Sequence, residues 1–248
     1  MKDSVKHFAI TGGNSGIGLA IAKLYLQEGH RVSVLSRHFS QPNTLQLEYP
    51  EQYYCFSGNV ASVNDIEQFY QHCTDQLGRL DGVVANAGVA IAEAIEDVTE
   101  ESFQNTFDIN VKGVFFTVQK ALPYLNPHAA ITLISSIQSG RGAGVWAAYG
   151  ATKAAVRSLT RSFAAELGGK NIRVNCVSPG VTDTPILGKF GFDNTTLNNI
   201  LEQVKSATPL ERLGQPEEIA RTVAFINSEA ASFITGVDLQ VDGGLAQI

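Results

Sequence analysis

Apolar periodicity in this chain switches repeatedly between short strand-like runs and the 3.6-residue repeat of a helix, and this alternation constrains the fold more than any other feature. Val5–Thr11 and Arg31–Ser36 read as strands, separated by a helix over Ser15–Glu28 that stops at Gly29. A third strand, Tyr53–Phe56, is followed by Ser62-Val-Asn-Asp65, a capping-box-like helix start. Strands are expected next at Asp81–Asn86 and Ala129–Ser135, with helical sequence from Thr99 to Leu122 between them. Trp146–Leu167 reads as a long helix, and Asn171–Val177, a helix opening near Pro216, and Gly236–Val241 complete the series. Parallel strands need crossover connections, so this order predicts an α/β fold: a seven-stranded parallel sheet with helices on both faces. No repeat, low-complexity tract or Pro/Ser linker divides the chain, which implies one domain over residues 1–248.

Composition removes several classes of function. A net charge of −6 argues against nucleic acid or an anionic membrane as partner, because phosphate surfaces require a basic counterpart. No apolar run reaches the length of a membrane span. Met1-Lys-Asp-Ser-Val-Lys-His lacks the apolar core of a signal peptide. Cys55, Cys73 and Cys176 are widely spaced and read as reduced thiols in a cytoplasmic protein. Neither they nor the five histidines show ligand spacing, so no metal is expected.

Chemistry enters at Thr11-Gly-Gly-Asn-Ser-Gly-Ile-Gly18, where the first strand gives way to the first helix. Gly12 permits a tight turn, Gly16 lets backbone approach phosphate, and Gly18 lets the helix sit close on the strand. The free N–H groups of that helix end face negative charge, so the turn reads as the pyrophosphate seat of a Rossmann-type, doubly wound sheet. Asn14, Ser15 and Ile17 belong to the same candidate set. A dinucleotide site choosing NAD(H) places an acid about 20 residues further on, to hold a ribose hydroxyl. No acid occurs between Glu28 and Glu48, and the second strand ends Ser36-Arg37-His38. A guanidinium and a hydroxyl there suit a 2′-phosphate, which favours NADP(H) over NAD(H).

Tyr149 and Lys153 stand i and i+4 in the long helix, so their side chains share one face. An ammonium beside a phenol is expected to draw its pKa down from about 10, which suits a group that gives and regains a proton. Ser136 lies thirteen residues before Tyr149. Together with the glycine turn, Asn86-Ala87-Gly88, Asn110 and Pro179-Gly180, these residues resemble the short-chain dehydrogenase/reductase family, in its branch of about 250 residues similar to 3-oxoacyl reductases. The resemblance runs from the first strand to the C-terminus. It implies hydride transfer between a nicotinamide cofactor and a carbonyl or secondary alcohol, with Tyr149 as proton donor, Ser136 orienting the substrate oxygen, Lys153 tuning Tyr149 and holding the ribose, and Asn110 positioning a relay water. It also implies that Asn59 and Val60 flank the adenine, that Asn86–Gly88 pack near the adenosine ribose, and that Pro179, Gly180, Val181 and Thr184 meet the carboxamide and phosphates. Asn59 where Asp is frequent, Ala85 where Asn is frequent, and Gly150 inside the catalytic helix depart from the family pattern.

The substrate pocket is expected from Gln138–Gly144, Trp146 and Pro185–Phe192, the last being either a mobile lid or a packed surface loop. A 3-oxoacyl-thioester reductase of fatty-acid synthesis shares all these motifs, and a cofactor-binding sensor or scaffold without turnover is a reading of another class. The resemblance further implies a homotetramer, with Thr99–Leu122 and Trp146–Leu167 at one interface and the last strand with Gly243–Ile248 at another.

Overall fold

The computed structural model describes residues 5–41 and 43–248. The N-terminal stretch read above as lacking a targeting signal falls partly outside them, at Met1–Ser4. Seven strands form one parallel sheet: β1 (His7–Thr11), β2 (Arg31–Ser36), β3 (Tyr53–Ser57), β4 (Leu80–Ala85), β5 (Leu125–Ile134), β6 (Arg173–Pro179) and β7 (Asp238–Val241). Their order is β3-β2-β1-β4-β5-β6-β7, so the chain reverses direction across the sheet between β1 and β4. In open α/β sheets that switch point opens a crevice at the carboxyl ends of the strands, where ligands bind.

The strands are runs of apolar or small residues because both faces are covered. All five residues of β1 are buried, and so are the last six of β5. One face packs against α1 (Gly16–Gln27) and α8 (Pro216–Asn227), through Ile10, Ile21, Leu26, Val34, Ile219 and Val223. The other packs against α3 (Val63–Leu77), α5 (Gly113–Ala121) and α6 (Ala147–Leu167), through Phe69, Val83, Val114, Val118, Val156 and Leu167. Burial of this kind stabilises by roughly 25 cal/mol per Å² of apolar surface.

Several boundaries follow the expectation, and the departures have identifiable causes. β2 spans Arg31–Ser36 as read, and Ser62 caps α3 by accepting the Asp65 N–H. β1 begins at His7 instead of Val5. The five-residue α2 (Thr44–Glu48) is too short to show a helical period and was not expected. The uninterrupted helix expected from Thr99 to Leu122 is corrected: it comprises α4 (Glu100–Phe107), one π-turn over Asp108–Lys112, and α5. Such a turn inserts one residue into the backbone ladder, and it often marks a functional position. Here it contains Asn110. The helix expected around Thr195–Val204 is α7 (Asn194–Ala207), and none of its residues is buried. Among the described residues no helix is long and apolar enough to cross a membrane.

Candidate active site

At the switch point the end of β1 is hydrogen-bonded to the residues just after β4. Thr11 Oγ1 accepts from the backbone N–H groups of Asn86 and Ala87, both at 3.1 Å. Asn86 Nδ2 donates to the carbonyls of Thr11 and Gly12 at 2.9 and 3.1 Å. Two glycines of the turn leave no room for a Cβ: one on Gly18 would lie 2.3 Å from the Gly12 carbonyl oxygen, and one on Gly12, at φ +69°, 2.9 Å from Ala87 Cα. Asn14 Nδ2 donates to the His38 carbonyl at 2.6 Å, joining the turn to the end of β2. Ser15 is the N-cap of α1 but makes no side-chain cap bond, and the first turn carries no acid. The N–H groups at that end are therefore available to an anion. Ile17 packs at the edge of the α1 core, and Gly16 faces Thr184, whose Cβ would lie 3.3 Å from an added methyl.

Further along the crevice, Ser36 is buried and its Oγ has no hydrogen-bond partner among the described residues. Arg37, next to it, is exposed. Asn59 Oδ1 accepts from Ala61 N at 3.0 Å, while its own N–H is held by Asp65 at 2.8 Å. One lone pair of the amide oxygen is thus already occupied. Val60 is buried against the start of α5. Gly180 lies so close to Asp242 that a Cβ would sit 2.8 Å from its Cα, and the Val181 carbonyl accepts from Gly214 N at 3.0 Å. Pro179 ends β6.

Ser136, Tyr149, Lys153 and Asn110 converge where β4, β5 and α6 meet. Lys153 is 4% exposed, its Nζ donates to the Ile134 carbonyl at 2.9 Å, and it lies 5.7 Å from the centre of the Tyr149 ring. Burial pulls its pKa down to about 8. Tyr149 is partly buried at the cleft surface. Burial raises its phenol above 10, and a hydrogen bond with Ser136 opposes that rise. This corrects the expectation of a phenol lowered by Lys153: burial sets the direction, and the ammonium is directed to the Ile134 carbonyl. Asn110 is fully buried, accepts from Val89 N at 2.9 Å, and donates to the Val89 carbonyl at 2.9 Å and to Thr152 Oγ1 at 3.1 Å.

The supporting hydrogen bonds of three residues lay beyond the sequence reading, which named Thr11 only as part of the glycine turn. Thr11 carries two hydrogen bonds on one hydroxyl, Thr152 links Asn110 to the Tyr149 carbonyl, and Ser135 Oγ donates to the Lys153 carbonyl at 3.0 Å. Thr152 and Ser135 each stand beside a candidate residue, and that adjacency was the only signal available.

A doubly wound sheet with a glycine turn at its switch point and a tyrosine–lysine pair on the facing helix defines a dinucleotide-dependent oxidoreductase fold. The chain belongs to the short-chain dehydrogenase/reductase family, whose members act on CH–OH or carbonyl groups. The family model described as enoyl-(acyl carrier protein) reductase matches residues 12–246. The chain is 33% identical to a 3-oxoacyl-[acyl-carrier-protein] reductase of Thermotoga maritima, over 95% of this chain and 96% of the relative. It is 34% identical to the 2,3-dihydro-2,3-dihydroxybenzoate dehydrogenase of Escherichia coli, over 98% of each. Among solved structures, a 3-ketoacyl-(acyl-carrier-protein) reductase from Brucella melitensis complexed with NADH superposes with a TM-score of 0.87 at 29% identity, covering 97% of this chain and 98% of that one.

Family members bind NAD(P)(H), and the residues present fit such a group. The glycine cradle excludes a Cβ at Gly12 and Gly18, the α1 N-terminus is uncapped by a side chain, and the buried Ser36 hydroxyl stands beside an arginine.

Proposed function

We propose that this chain is an NADP(H)-dependent oxidoreductase that interconverts a carbonyl and a secondary alcohol through Ser136, Tyr149, Lys153 and Asn110. The observation that carries the reading is the buried Lys153 one helical turn from Tyr149, its Nζ 5.7 Å from the centre of the phenol ring. Gly12, Asn14, Ser15, Gly16, Ile17 and Gly18 would hold the pyrophosphate end, and Asn59, Val60 and Asn86–Gly88 the adenosine. Pro179–Val181 and Thr184 would hold the nicotinamide end. When bound, the cofactor supplies or accepts the hydride.

The remaining chemistry belongs to the protein. A phenol raised above its ordinary pKa stays protonated at neutral pH and so arrives as a proton donor for reduction. Tyr149 gives its proton to the substrate oxygen, while the Ser136 hydroxyl hydrogen-bonds that oxygen and stabilises charge as it develops. The Lys153 ammonium, one turn along, favours the phenolate left behind. Asn110 acts by position, fixing the segment after β4 against α6 through Val89 and Thr152.

Preference for NADP(H) rests on Arg37, on the unpartnered Ser36 hydroxyl, and on the missing acid between Glu28 and Glu48. Arg37→Ala is expected to weaken NADPH binding by about 1.5–3 kcal/mol, with a smaller effect on NADH; equal or tighter NADH binding by the wild type overturns the preference. Tyr149→Phe should lower kcat by about 10²–10⁴-fold with NADPH affinity and melting temperature retained. Turnover above a tenth of wild type ends the assignment, and so does the absence of any turnover expected for a pure sensor.

A 3-oxoacyl-thioester reductase is the second reading, favoured by a relative of that name at 33% identity and tested by turnover of 3-oxoacyl thioesters. The proposal includes a cytoplasmic homotetramer. Cys55, Cys73 and Cys176 are all free thiols, and an exposed apolar groove lined by Phe103, Phe107, Val111 and Phe115 runs along α4 and α5, as a helix-mediated interface requires. A single-chain mass by light scattering at micromolar concentration refutes the tetramer.

A further inference from the structure

The crevice continues past the glycine turn toward β3, and its walls are joined by hydrogen bonds. Gly12 N donates to the Leu35 carbonyl at 2.7 Å and Asn14 Nδ2 to the His38 carbonyl at 2.6 Å, so the turn and the end of β2 are one unit. Gly58 N donates to the Ser36 carbonyl at 3.1 Å, and Ser36 pairs in register with Ser57, which carries the same edge on to β3. Beside that edge, between the strand ends and α2, lies a cavity of about 540 Å³ whose walls include Arg37, His38, Gln46, Cys55 and Ser57. No carboxylate is among its described lining residues.

Gln46 enters this cavity in a fixed sense. Cys55 Sγ donates to Gln46 Oε1 at 3.7 Å, which engages the carboxamide oxygen from β3. A planar amide carries its nitrogen on the opposite branch, so Nε2 is turned away from that thiol. This nitrogen has no hydrogen-bond partner among the described residues and is not closed to solvent, and the open space that Gln46 lines is the cavity it shares with Arg37. A guanidinium and a free amide N–H₂, with no acid beside them, suit an anion rich in acceptor oxygens. A carboxylate offers two oxygens, which one arginine fork can fill; a phosphomonoester offers three and leaves room for a second donor.

We propose that Gln46 is a second ligand of the cofactor's 2′-phosphate, donating from Nε2 to an oxygen that Arg37 leaves unpaired. The Cys55 thiol holds the carboxamide in the orientation this requires. Gln46 thereby discriminates between cofactors, because NAD(H) carries an uncharged hydroxyl at that carbon, a weaker acceptor than phosphate. This inference rests on the NADP(H) reading of Arg37.

The test measures dissociation constants of NADPH and NADH by nucleotide fluorescence for the wild type, Gln46→Leu and Gln46→Glu. Adenosine 2′,5′-bisphosphate and adenosine 5′-phosphate are titrated alongside by calorimetry. Loss of a donor to a charged group predicts NADPH affinity about tenfold weaker in Gln46→Leu, with NADH within about twofold of wild type. Gln46→Glu, equal in outline, sets a carboxylate against the phosphate and should weaken NADPH further while sparing NADH. The bisphosphate should follow NADPH, and the monophosphate NADH. Unchanged NADPH affinity in the variants, with a wild type that prefers NADPH, overturns this inference and leaves the NADP(H) reading standing. Equal losses for NADPH and NADH also overturn it, because they mark Gln46 as support for α2 alone. A wild type without preference for NADPH overturns both. If Gln46→Leu fails to fold, as judged by its melting curve, Gln46→Glu decides.

Discussion

Helices α1 and α7 are similar in length, twelve and fourteen residues, yet they hold opposite positions in the molecule. α1 buries Gly18, Ala20, Ile21, Ala22, Tyr25 and Leu26 against the sheet and α8; α7 buries nothing. α1 presents the glycine turn, and a turn that must meet phosphate at fixed distance needs an immovable mount. α7 follows Pro185–Phe192, where Leu187 is buried, Phe190 leans on Trp146, and the chain is tied across the cleft by Ala92 N to the Phe190 carbonyl at 3.2 Å. One side of the cleft is set by backbone packing and the other by a few side-chain contacts. The difference predicts a rigid cofactor side and a substrate side that opens at low free-energy cost.

The largest test of this contrast is Gly18→Ala. Its methyl group would stand 2.3 Å from the Gly12 carbonyl, against backbone that is itself pinned by Asn86. Overpacking of this severity should cost about 3 kcal/mol or more, a melting-temperature drop of about 6–12 °C in a chain of this size, together with loss of NADPH binding. A drop under about 2 °C with binding intact shows that the mount yields, and removes the contrast.

The next test uses pH. His7, at the start of β1, is buried between Ser33 Oγ at 2.8 Å and the Gly78 carbonyl at 2.7 Å. Burial lowers its pKa from 6.5 to about 4. The unfolded chain therefore takes up a proton before the folded one does, and the stability from neutral His7 is complete above pH 6.5 and lost as pH falls through about 4. The loss should be on the order of 2–3 kcal/mol. Urea midpoints for wild type and His7→Gln between pH 7 and 4 check it: the gap between the two should narrow on acidification, and a constant gap contradicts the argument.

The smallest expected effect lies in α7. Leu197 is only partly buried, so Leu197→Ala should cost under about 1 kcal/mol and move the melting temperature by less than about 4 °C. Amide exchange should show α7 opening well below the global unfolding free energy while α1 exchanges only near it. Equal protection of the two helices refutes the contrast directly.

The same contrast governs what the sequence discloses. Backbone crowding leaves glycine no substitute, so Gly12 and Gly18 state their roles in one-letter form, and the strand order follows from the alternation of periods. The π-turn is invisible because it spans only five residues, too few for a shifted apolar period to register. β5 begins at Leu125, ahead of the expected Ala129, because Pro127 and His128, the latter at φ +65°, hide a continuous strand behind turn-like residues. The raised Tyr149 pKa was illegible for another reason: helical spacing reports that Lys153 is near, while the carbonyl its ammonium selects belongs to Ile134 on a different element. The Pro185–Phe192 segment stays divided between lid and packed loop in sequence because a few apolar contacts serve either.

Asn110 offers a last consequence. By meeting both the N–H and the carbonyl of Val89, its carboxamide closes the ring of two hydrogen bonds that peptide groups form in a ladder. A side chain on a helix thereby impersonates a strand and gives the segment after β4 a neighbour where the sheet has ended. An impostor of this kind is recognised by dipole direction and not by shape. Aspartate, equal in outline, would set oxygen against the Val89 carbonyl and against a Thr152 hydroxyl already committed as donor to Tyr149. Within this cleft the difference between the two residues is the difference between a splice and a break.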